Sequence, residues 1–92
     1  MITKVDLSRN AEKDLIRVPQ YIAVKLFKWT EDVEERGLEE VRKVQSYHDE
    51  PLKGKREGQR SIRLSKSYRA IYRILKDEIE FVRIEEVNKH DY

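Results

Sequence analysis

A chain of 92 residues, 38% apolar and 41% charged with a net charge of +2, has material for one small core and a single domain over 1–92. No apolar stretch approaches the roughly 20 residues of a membrane span, and Met1 opens on Ile-Thr-Lys-Val-Asp rather than on an export leader. Without cysteine, disulfide frameworks, thiol nucleophiles and zinc knuckles are excluded, and the expectation is a folded cytoplasmic protein with no membrane partner.

The first predicted element is a β-prone run from Ile2 to Leu7. Ser8 or Asn10 can cap a helix running to about Val18, with Leu15, Ile16 and Val18 as its apolar side. Pro19 stops that helix and suits the first turn of the next. In the second helix, predicted over 20–36, Ile22, Leu26, Phe27, Trp29 and Val33 recur at three- and four-residue spacing, with Trp29 in the core. Gly37 ends it, and Leu38, Val41 and Val44 give one more turn or two. The stretch 46–58 carries Pro51, Gly54 and Gly58 and reads as a loop.

From 59 onward the period becomes two. Ile62 and Leu64 mark one strand, 68–75 a second, and Ile79, Phe81, Val82 and Ile84 a third, with turns at 65–67 and 76–78. The predicted fold class is α+β: an N-terminal strand, two to three helices, then a three-stranded antiparallel meander, in the order β-α-α-β-β-β. The helices gather on one face of the sheet.

The small net charge conceals a strong pattern. Residues 1–30 sum to +3, 31–50 to −5, 51–76 to +8 and 77–92 to −4. The +8 block lies in predicted strands and their loop and includes Tyr68 and Tyr72, an electrostatic footprint suited to phosphates.

Which chemistry these residues support follows partly by elimination. Gly54 and Gly58 are not spaced as a phosphate-binding loop, and no serine sits in a nucleophile elbow. His48 and His90 lie far apart in sequence, with no carboxylate cluster around either to hold a metal. Acid–base chemistry on a polyanion remains. RNA cleavage needs little more, because its own 2′-OH is the nucleophile. The protein supplies a base, an acid and cations around the phosphorane, with no metal and no cofactor. Candidates for those roles are Glu50 in its basic loop, His90, the arginines 63 and 69, and the lysines 53 and 55.

The loop Glu50-Pro51-Leu52-Lys53-Gly54, the string Gly58-Gln59-Arg60-Ser61-Ile62-Arg63-Leu64, the segment Tyr68-Arg69-Ala70-Ile71-Tyr72-Arg73 and the ending Lys89-His90-Asp91-Tyr92 together resemble the RelE/ParE toxin superfamily, nearest to its YoeB- and HigB-like mRNA interferases. The resemblance implies a toxin of a type II toxin–antitoxin system that cleaves mRNA, in the ribosomal 30S A site in most characterised members, and is blocked by a cognate antitoxin. Carried over residue by residue, it makes Glu50 the general base, Arg63 and Arg69 the phosphate clamp, and His90 and Tyr92 the C-terminal catalytic pair. Lys53, Lys55, Arg56, Arg60 and Arg73 are then RNA-binding residues. The terminal order His90-Asp91-Tyr92 differs from the His-Tyr of YoeB-like chains and the Asp-Tyr-His of HigB-like ones, and Arg60 stands where relatives carry an aromatic. Two other readings share the fold: a non-enzymatic toxin that poisons DNA gyrase in the ParE manner, and a degenerate RNA-binding member without turnover.

Overall fold

The computed structural model describes residues 1–89. Its first strand, β1 (Val5–Leu7), stops at Ser8, and the reason lies in that side chain. The Ser8 hydroxyl accepts the Ala11 N–H at 3.1 Å, capping α1 (Arg9–Arg17), and donates to the Glu85 carbonyl at 2.7 Å. One residue therefore starts the helix and fastens it to the far end of the chain. Val18 takes an extended conformation ahead of Pro19, as a residue before proline must, and α2 (Gln20–Arg36) begins directly after it.

Ile22, Leu26, Trp29 and Val33 form the buried stripe of α2. Phe27, predicted with them, is 49% exposed, because it lies too far around the helix to face the sheet. Gly37 ends α2 with φ +88°, a backbone conformation that calls for glycine. A one-turn α3 (Leu38–Val41) adds two more core residues.

Five strands make the sheet, in the order β1-β5-β4-β3-β2. The meander is β3 (Gln59–Arg63), β4 (Tyr68–Lys76) and β5 (Glu80–Lys89). All its pairings are antiparallel, while β1 runs parallel to β5 with Val5 opposite Val82. The fifth strand departs from the expected loop over 46–58. Within it, β2 (Glu50–Pro51) pairs antiparallel with β3, setting Glu50 opposite Ser61 and Pro51 opposite Arg60. A two-residue edge strand with a proline has no alternation to read, so the sequence pattern conceals it.

The helices cover one face, where Trp29 packs against Tyr72 with ring centroids 5.3 Å apart. Strand alternation sends Gln59, Ser61 and Arg63 of β3, and Arg69, Ile71 and Arg73 of β4, to the opposite face. Ile71 is fully buried there, outside the main core cluster. No helix among the described residues is long and apolar enough to cross a membrane.

Candidate nucleic-acid cleavage site

The helix-free face gathers three of the charged residues singled out in the sequence, Glu50, Arg63 and Arg69. Cross-strand register puts Glu50 beside Ser61 and Arg63 beside Arg69, in neighbouring rows of one surface. A shallow cleft of about 50 Å³ lies between them, lined by Glu50, Ser61, Arg63, Arg69, Tyr68 and also His48. Such a volume is far below the roughly 300–1,000 Å³ of small-molecule pockets. It suits a group projecting from a larger molecule.

His48 enters this site without having been singled out in the sequence as a site residue. Its Nε2 lies 3.7 Å from Glu50 Oε2, ion-pairing distance when the imidazole is protonated, and both side chains are more than half exposed. Among the described residues His48 is also the one non-glycine residue with positive φ, at φ 49° and ψ 49°. That left-handed backbone is uncommon outside glycine, asparagine and aspartate, and it turns the chain sharply ahead of β2. The available sequence signal is only its nearness to Glu50, two residues on.

Between these two residues, Asp49 points the other way. Its side chain is 1% exposed and accepts two short hydrogen bonds, from Arg60 Nε to Oδ1 and from the Tyr72 hydroxyl to Oδ2, each 2.6 Å. Arg60 lies in register with Ile62 on the helix-facing side of β3, so this guanidinium is committed to Asp49 rather than to the cleft. Asp49 thus anchors the segment bearing His48 and Glu50 to two sheet strands. Tyr47 adds a second anchor, its hydroxyl donating to Asp32 of α2 at 2.6 Å.

Burial, and then the neighbouring Asp49 carboxylate, push the Tyr72 phenol well above its ordinary value of 10.0. The folded state keeps the phenol neutral while the unfolded chain ionises it, so below pH 10 this group's contribution is complete and independent of pH. Above about pH 10 stability falls, by up to about 1.4 kcal/mol per pH unit from this group. Urea denaturation from pH 9 to 11.5 checks this, with Tyr72→Phe giving the shallower decline.

The cations divide into two sets. Arg69 Nε donates to Asn88 Oδ1 at 3.3 Å, Asn88 Nδ2 to Glu86 Oε1 at 2.6 Å, and Arg56 bridges Glu86 and Gln59 at 3.0 and 3.1 Å. This chain orients Arg69 toward the cleft while engaging Arg56 in the sheet surface. Arg73 pairs with Glu85, the extra residue where β5 bulges opposite Ile71 and Tyr72. Of the five expected RNA-binding residues, then, Arg56, Arg60 and Arg73 are held by carboxylates, whereas Lys53 and Lys55 are exposed in the turn after β2. His90 and Tyr92 lie outside the described residues.

Comparison with known proteins places these features in a family. The family model described as ParE toxin of type II toxin–antitoxin system, parDE, matches residues 5–89. None of the curated proteins matches the sequence. Among solved structures, the chain is similar to a YoeB/ParE toxin from Agrobacterium tumefaciens, with a TM-score of 0.72, 18% identity, and 96% of this chain and 99% of that chain covered. It is similar to YafQ from E. coli, with a TM-score of 0.74, 20% identity and coverage of 95% and 92%. The toxin–antitoxin complex RelBE2 from Mycobacterium tuberculosis matches with a TM-score of 0.70, 24% identity and coverage of 98% and 100%. At these identities the likeness is one of fold.

Proposed function

The chain belongs to the ParE toxin family of type II toxin–antitoxin systems, and from that premise we propose that it is an endoribonuclease that cleaves mRNA on the ribosome in the cytoplasm and is silenced by a cognate antitoxin. The reading rests above all on one cleft that opposes the carboxylate of Glu50 to the guanidinium groups of Arg63 and Arg69. It also rests on the resemblance of the loop, strand and C-terminal strings to mRNA-cleaving relatives.

In this mechanism Glu50 takes the proton from the 2′-OH of the bound nucleotide, with His48 orienting the carboxylate. The freed oxygen attacks the adjacent phosphorus, and the P–O5′ bond breaks. His90, which follows Lys89 in sequence, gives its proton to the departing 5′-oxygen, leaving a 2′,3′-cyclic phosphate and a 5′-hydroxyl. Arg63 and Arg69 stabilise the charge that accumulates on the phosphorane, and Lys53 and Lys55 hold flanking phosphates. Neither metal nor cofactor takes part, and Tyr92 completes the C-terminal catalytic pair that the resemblance implies.

The matched family carries the ParE name, which favours a second reading as a gyrase poison without turnover. Induction in a bacterial host separates the two. Cleaved transcripts with cyclic-phosphate 3′ ends are expected, and Glu50→Gln and His90→Gln each relieve growth arrest. Intact mRNA together with trapped gyrase–DNA complexes would replace the ribonuclease with the poison.

A further inference from the structure

The cleft does not end at the proposed reaction centre. Arg63, Ser65 and Lys66 line it and also line a second depression of about 240 Å³ shared with Lys25, Ser46 and Tyr47. Lys25, Ser46 and Tyr47 in turn line a third, of about 410 Å³, which continues along α2 past Lys28 to Arg36. Each thus adjoins the next through shared walls, and together they trace a path that we treat as one groove. It leaves the helix-free face, passes the end of β3 and follows one flank of α2, where Lys25 to Arg36 spans about 16 Å of helix.

Its charge is one-sided. Among the described residues, Lys25, Lys28, Arg36 and Arg63 bring four cations to the two outer depressions, against Asp32 as their one carboxylate, which already accepts the Tyr47 hydroxyl. Glu31 and Glu35 of α2 do not line it. The half-buried Tyr47 borders both outer depressions, with its hydroxyl donating to Asp32 and its ring packed against the core. Cations spaced along one flank match the spaced phosphates of an extended single strand.

We infer that this groove along α2 is a second RNA-binding site, holding the backbone of the strand on one side of the scissile phosphodiester, with Lys25 and Lys28 as its phosphate contacts. The inference rests on the ribonuclease reading and extends the bound substrate beyond the cleft. It predicts an anchoring surface on the helical layer, where the +8 block of the sequence has no residue.

A 2′-O-methyl oligoribonucleotide, which binds but cannot react, tests it by fluorescence anisotropy across a salt series with the whole chain. Each lost phosphate contact on single-stranded RNA lowers the slope of log affinity on log salt by about 0.7, so Lys25→Gln/Lys28→Gln lowers it by about 1.4. A fourfold rise in salt then costs the variant about sevenfold less affinity than the parent. The pair Lys13→Gln/Arg17→Gln, both exposed on α1, removes the same charge elsewhere and leaves the slope unchanged, and thermal melts confirm that both variants fold. Equal slopes for parent and groove variant, or an equal drop in both pairs, overturn the groove while leaving the cleavage reading intact. A parent without salt-dependent RNA affinity overturns the groove together with RNA binding, and transcript integrity in induced cells reports on cleavage separately.

Discussion

Arg69→Ala is expected to lower mRNA cleavage by about 10²–10³-fold while leaving the fold almost untouched. The activity loss follows from the proposed role of the guanidinium, which is hydrogen-bonded to Asn88 at the cleft and in that mechanism presents donors where charge builds up in the transition state. The small structural cost follows from how little else it holds, a single 3.3 Å hydrogen bond on a wet sheet face. Arg69→Lys recovers little, because an ammonium cannot reproduce the planar two-point contact. Quantified transcript cleavage after induction, beside a thermal melt of each variant, checks both halves. Full activity in Arg69→Ala would remove the arginine from the mechanism.

The largest stability loss is expected from Asp49→Ala. The substitution strips the acceptor from the Tyr72 hydroxyl and from Arg60 at once, with Tyr72 fully buried and the Arg60 side chain 20% exposed. Breaking a buried pair costs about 3–5 kcal/mol, and the partial exposure of Arg60 places this one near 3. For a domain of this size that lowers Tm by roughly 12–24 °C in a calorimetric scan. Removing both charges in Asp49→Ala/Arg60→Met restores part of the loss, since no guanidinium is then left unpaired. A single variant that melts within a few degrees of the parent would mean that Asp49 is not the anchor of the β2 segment.

Much of the fold was legible because long elements repeat their signal. The stripe of Ile22, Leu26, Trp29 and Val33 and the alternation of Tyr68 to Ile74 each span several periods. The pairing of β2 was not legible, since two residues cannot show a period and proline argues against a strand. Glu50, Arg63 and Arg69 could be chosen from chemistry, and they do line a common cleft. Arg60 illustrates the limit of charge reading. Its place two residues before Ile62 already put it on the inward side of β3, but its partner Asp49 reaches it only through a loop whose path the sequence does not encode locally. His48 was obscure for the same reason, its left-handed turn being set by anchors on either side rather than by its own preference.

The parallel pairing of β1 with β5 carries a consequence for how this protein is made. Val5 meets Val82, and Ser8 fastens to Ile84 and Glu85, so the first strand waits for the last before the sheet can close. During translation the sheet cannot be completed until β5 has been made. Closure of the β1 edge is therefore a late, long-range event in folding, whereas the hairpins that carry Glu50, Arg63 and Arg69 close over short loops.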